Sequence, residues 1–114
     1  MLSYSSHETG GVLVFTAEKA AEGDGQPSQR EWLYKTIESR EVPRFAIDLG
    51  QIEYMSSSEI GFLITLRRRI DTRKGKVVLF RVDTFILDVL RTMRLDKLFL
   101  IADDLNGALA CLSP

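Results

Sequence analysis

At 114 residues, 45% of them hydrophobic and 27% charged, the chain can fill one packed core but is too short for two. A net charge of −1 gives no overall pull toward nucleic acid or anionic lipid, the lone Cys111 rules out an internal disulfide, and no apolar run reaches membrane-span length. The N-terminal MLSYSSHETGG lacks a basic stretch followed by an apolar one, so the expectation is a single cytoplasmic domain over residues 1–114 with no membrane contact.

In chain order, Leu2–His7 and Val12–Glu18 read as strands of an antiparallel hairpin, with Gly10 or Gly11 supplying positive φ in the turn. Alternation in VLVFTAE is blurred, as in a strand covered on both faces. Ala20–Gln29, rich in Gly, Pro and small polar residues, predicts an exposed loop. Ser28 predicts the cap of a helix to about Glu41, with Trp32, Leu33, Ile37 and Tyr34 on its apolar side and Pro43 as its stop. Arg44–Leu49 is a short buried strand, and Gly50–Met55 connects it onward with Ile52 and either Tyr54 or Met55 turned inward.

Ser56 and Glu59 then have the S-x-x-E spacing in which each side chain satisfies the other's backbone N–H, marking a helix start. Ile60, Leu63, Ile64, Leu66 and Ile70 follow at helical intervals, Arg67, Arg68, Asp71 and Lys74 take the other side, and Gly75 reads as the left-handed residue that ends the helix. Lys76–Arg81 is the next buried strand. A helix over about Asp83–Met93 places Phe85, Ile86, Val89, Leu90 and Met93 on one side; Leu98–Ala102 is a last short strand, and Asp103 or Asp104 caps a terminal helix. Strands alternating with helices after residue 44 predict parallel pairing with right-handed crossovers. The fold class is α/β: a mixed sheet of about four to five strands, opening with the hairpin, and about four helices.

Catalytic signatures are sparse. His7, the single histidine, falls in an edge strand, and there is no CxxC, HExxH, EF-hand, GxGxxG or GxxxxGK[ST] spacing, so the chain reads as a binding module, not an enzyme, with no cofactor and no metal. Arg67, Arg68 and Arg69 fan around a helix instead of forming a phosphate-tracking stripe and read as a solvated face, without nucleic acid as a partner. Phe80, Phe85 and Phe99 read as packing. The serines are different. As a plain cap, Ser56 contributes about 1 kcal/mol; beyond that, Ser57 and Ser58 lie in the first turn, where a phosphate of about −1.5 to −2 charge suits the helix dipole and changes the surface without disturbing the fold.

The run AIDLGQIEYMSSSEIGFL, with LDKLFLI at its far end, resembles the STAS domain of bacterial anti-sigma factor antagonists, and the similarity extends over Arg44–Ile101. Ser57 matches the serine phosphorylated in that family, Ser58 the following Ser or Thr, Ile60 the aliphatic residue and Gly61 a glycine; Leu95, Asp96, Leu98 and Phe99 match its closing motif. Ser56 stands where the family usually has Asp, and Glu59 where it usually has Gly. The resemblance implies a STAS-like fold and an anti-sigma factor serine kinase as partner. That kinase would phosphorylate Ser57 and so release the chain, and a serine phosphatase would reset it. The implied docking surface is Ser56, Ser57, Ser58, Glu59 and Phe62 with the loop after Glu18; for Phe62, beside the stripe of Leu63 and Leu66, core packing is the competing reading and the one favoured. Two alternatives stay open: a STAS scaffold that is not phosphorylated, to which Ser56 and Glu59 point, and a small anionic-ligand binder using the same helix start.

Overall fold

Gly10 and Gly11 both adopt positive φ, +57° and +78°, the two-residue turn whose twist suits a hairpin. They fold β1 (Leu2–Thr9) onto β2 (Val12–Lys19) in antiparallel register, Thr9 opposite Val12. The computed structural model describes residues 2–19 and 27–112. After β2 come α1 (Pro27–Glu38), β3 (Arg44–Asp48), α2 (Ser57–Thr72), β4 (Lys76–Phe80), α3 (Thr84–Thr92), β5 (Leu100–Ala102) and α4 (Leu105–Leu112). The sheet runs in sequence order, β1-β2-β3-β4-β5, and every pairing after the hairpin is parallel. The mixed sheet and four helices are those the sequence predicts.

Apolar runs are continuous in the central strands because both faces are covered. Leu13, Phe15, Phe45, Ile47, Val77 and Leu79 pack beneath α1, α2 and α3 with Leu33, Ile37, Leu63, Leu66, Ile70 and Ile86. On the opposite face Val12, Val14, Ala46, Val78 and Phe80 meet Ala108 and Leu112 of α4. This explains the blurred alternation in β2. His7 lies exposed on β1, the edge strand.

Several boundaries differ from expectation. Ala20–Gln26 of the predicted loop lies outside the described residues, and α1 starts at Pro27, so Ser28 is inside the helix and not its cap. Proline suits a first turn, where its fixed φ is helical and no N–H is needed. The helix ends at Glu38, before Pro43 acts, with Ser39 N–H bonding to the Lys35 carbonyl and Arg40 N–H to that of Ile37. Trp32 is exposed even though its ring meets Phe15 edge-on at 5.9 Å. β5 begins at Leu100 instead of Leu98. Asp104 settles the last cap, its Oδ1 accepting from Gly107 N at 2.8 Å.

The end of α2 corrects the reading of Gly75. Lys74 holds the left-handed position, φ +59°, while Lys74 N–H bonds to Asp71 O and Gly75 N–H to Ile70 O, a Schellman arrangement. Glycine is needed one residue later for space, since a Cβ on Gly75 would lie 2.1 Å from the Pro43 carbonyl oxygen. α3 ends in the same way on Arg94, φ +59°.

Candidate docking and modification site

β3 ends at Asp48, and the chain crosses to α2 through residues 49–56 at the carboxyl end of the parallel strands. Ile52 and Met55 are the inward residues of this connection, whereas Tyr54 is 66% exposed. Ser56 is extended, φ −73° and ψ 163°, and caps α2. Its Oγ accepts from Glu59 N at 3.2 Å, and Glu59 Oε2 accepts from Ser56 N at 3.1 Å, so the predicted capping box is complete. Ser57 and Ser58 follow as the first two helical residues, both exposed. Their hydroxyls stand at the positive end of a sixteen-residue helix.

Glu59 and Phe62 do not join this surface. Glu59 is only 8% exposed, its carboxylate committed to the cap and close enough to Tyr4 to act on it electrostatically. Phe62 is 4% exposed, its ring 5.8 Å from Tyr4 and 5.6 Å from Tyr34, with the Arg30 guanidinium 4.8 Å over its face. The expected docking role of Phe62 is therefore corrected. α2 is covered by the sheet on one side and by Tyr4 and Tyr34 on another, so its buried arc is wide enough to take in this position. Burial pushes the Tyr4 hydroxyl's pKa well up, with the Glu59 charge adding to the rise and Arg30 opposing it.

Phe85 supplies the exposed aromatic in its place. It is 56% exposed at the start of α3 and borders a dent of about 10 Å³ with Met55, Ile60, Ile86 and Val89, directly beside the first turn of α2. The sequence placed it in the core by periodicity. Its position one residue into α3, just beyond the carboxyl end of β4, leaves it exposed.

A second feature has no local signature in the sequence. Arg81, just after β4, takes φ +54° and forms a two-pronged pair with Asp48, Nε to Oδ1 and Nη2 to Oδ2, each 2.9 Å. Asp48 Oδ1 also accepts from Gly50 N at 2.9 Å, and Leu49 N–H bonds to Phe80 O. A Cβ on Gly50 would lie 2.5 Å from the guanidinium carbon, so glycine lets the arginine fold back over the chain. The pair ties the root of the serine loop to the root of the loop carrying Phe85. The hydrogen bond to Asp48 raises the Arg81 pKa further.

Among the described residues no three His, Cys, Asp or Glu side chains gather as metal ligands, and no helix is long and apolar enough to cross a membrane.

The sequence model described as STAS domain matches residues 4–108. No curated protein matches the chain significantly. Among solved structures, an anti-sigma-factor antagonist (STAS) domain protein from Planctomyces limnophilus superposes with a TM-score of 0.81 at 18% identity, covering 97% of this chain and 98% of its own. A putative anti-sigma factor antagonist from Thermotoga maritima gives 0.80 at 16% identity, covering 96% and 93%. The Bacillus cell fate determinant SpoIIAA in its phosphorylated form gives 0.67 at 14%, covering 97% and 100%.

Proposed function

Since the chain belongs to the STAS domain family, we propose that it is an anti-sigma factor antagonist that works by partner switching. In its unmodified form it docks onto an anti-sigma factor that is itself a serine kinase, and so frees the sigma factor. The kinase transfers phosphate to Ser57, the complex parts, and a serine phosphatase restores the hydroxyl. The chain is then a substrate and switch, not a catalyst.

One observation supports this above the others: Ser57 is exposed at the first position of a helix whose start is locked by a complete capping box. Ser56 performs as a cap the task of the family's usual Asp, so that departure leaves the acceptor on display. A phosphate there gains from the helix dipole and would not unfold the domain. It would set about two negative charges beside the exposed Tyr54 and Phe85, the aromatic side chains best suited to anchor a partner. The dent beside Met55 and Ile60, about 10 Å³, falls far short of the roughly 300 Å³ or more that small-molecule sites occupy. Among the described residues, the helix start beside this dent therefore suits a docking surface better than a ligand pocket.

Incubation with the cognate anti-sigma kinase and ATP, followed by mass spectrometry, tests the reading. One phosphate on Ser57 in the wild type and none in Ser57→Ala is the expected result. Binding of both proteins with phosphorylation of neither would favour the unswitched scaffold instead.

A further inference from the structure

A second recess opens at the far end of α2. β5 pairs with β4 only from Val78, which lies opposite Leu100, so Lys76 and Val77 precede the paired region, and a cavity of about 180 Å³ lies there between the sheet and the last turns of α2. Its apolar part is Val77, Leu98, Phe99 and Leu100, of which Val77 and Phe99 are buried, Leu98 half-buried and Leu100 exposed. Its charged rim is Arg67, Lys76 and Lys97, with Asp71 as the single acid. Arg67 holds Asp71 at 3.1 Å and also donates to the Leu98 carbonyl, so both charges are already matched and fixed. Lys76 and Lys97 are exposed and have no ion pair among the described residues, and the same is true of Arg68, Lys74 and Arg94 close by in sequence.

We propose that this recess is a second docking site, for an acidic protein segment that seats one apolar side chain against Leu98 and Leu100, over the buried Val77 and Phe99, and sets carboxylates against Lys76 and Lys97. The size decides between ligand classes. About 180 Å³ is below the usual range for small molecules but fits one anchoring side chain, the unit on which protein interfaces concentrate their energy. The charges converge on a notch instead of following a line. Phe99, its one aromatic, is buried and offers no face on which a base could stack, so the recess does not suit nucleic acid. The site goes beyond the switch at Ser57 and is independent of it. Along α2 the two are roughly 20 Å apart at 1.5 Å per residue, more than twice the screening length of about 8 Å at physiological salt. A phosphate on Ser57 leaves the recess unaffected, and the domain can hold one partner while exchanging another.

The test uses the full chain and two fluorescein-labelled peptides, one repeating Glu-Glu-Leu and one repeating Glu-Glu-Ser, with a single-stranded oligonucleotide as a third probe. The leucine peptide should bind at low salt and shift the amide signals of Val77, Phe99 and Leu100. Its affinity should fall at least about tenfold in Lys76→Glu/Lys97→Glu, a change confined to exposed side chains, and stay unchanged in Ser57→Asp. Four results would overturn the proposal: equal binding of the serine peptide, tighter binding of the oligonucleotide, indifference to the double charge reversal, or no amide shifts at these residues with the leucine peptide.

Discussion

At the first turn of α2 the side chains offered to solvent are the Ser57 and Ser58 hydroxyls, with Glu53, Tyr54, Asp83 and Phe85 on the segments beside them. At its last turns they are mainly cations, with Asp71 paired to Arg67. Arg40 pairs with Glu8 at 3.1 Å, Arg69 with Glu38 at 3.0 Å, and Arg73 donates twice to the Arg40 carbonyl, so much of this charge is spent on joining α1, α2 and the hairpin. A chain of net charge −1 thus separates its charges by position. The difference teaches that the serine end is fixed from below, by the capping box and the Asp48–Arg81 pair, and left open above, whereas the arginine end is fixed by its surface side chains themselves. Modification is tolerable only where the surface holds nothing else together.

The comparison breaks most visibly beneath the serine end. Phe62→Ala should cost about 3–5 kcal/mol in chemical denaturation, as for a buried aromatic; a loss under about 1 kcal/mol would return Phe62 to the docking surface. Tyr4, packed on the same ring, gives a pH test. Its pKa is raised in the folded state, so the stability it contributes is fully present below the ordinary tyrosine value of 10.0 and declines as pH rises beyond it, when the unfolded chain ionises first. In a spectrophotometric titration the Tyr4 phenolate should appear only with unfolding; its ionisation in the folded protein near the ordinary value would remove the buried cluster.

Asp48→Ala should cost about 2 kcal/mol, because it removes the one nearly buried carboxylate that accepts from both the Arg81 guanidinium and the Gly50 N–H. Arg81→Met should cost about as much, about 2 kcal/mol, because it leaves the Asp48 carboxylate, 12% exposed, without its charged partner, and a cycle of the two with no coupling would show that the pair does not tie the loop roots. Ser56→Ala should cost about 1 kcal/mol, and an unchanged melting curve would misplace the cap. The smallest effect on stability belongs to Ser57→Asp, within a few tenths of a kcal/mol of wild type. That near-neutrality is itself the sharpest contrast with the arginine end, where Arg73→Asp should destabilise measurably.

What was legible in the sequence was what local spacing encodes. Ser56 and Glu59 are three residues apart, and their box follows from that alone; the apolar run Val77–Phe80 and helical intervals at Ile60–Ile70 locate strand and helix. Contacts between distant segments were not legible. Asp48 and Arg81 lie 33 residues apart, and neither position carries a local mark of the other. Phe62 and Phe85 exchanged roles for a related reason. Periodicity gives the phase of an apolar stripe but not its width, which depends on whether another segment arrives: Tyr4 and Tyr34 cover the Phe62 ring, and Phe85 stays exposed. Local spacing marks where α2 stops but not which residue turns left-handed: Lys74 takes that conformation, and Gly75 is needed for clearance from Pro43.

The account rests on the claim that a phosphate at Ser57 changes what the surface binds and leaves the fold as it is. The direct measurement is the affinity of the anti-sigma kinase for the chain prepared with phosphoserine at position 57, alongside amide spectra of the same sample. An affinity at least about tenfold weaker than that of the unmodified chain, with amide shifts confined to the first turns of α2 and the segments facing it, is the predicted result. Equal affinity of the two forms, or amide changes spread through the central strands, would contradict it.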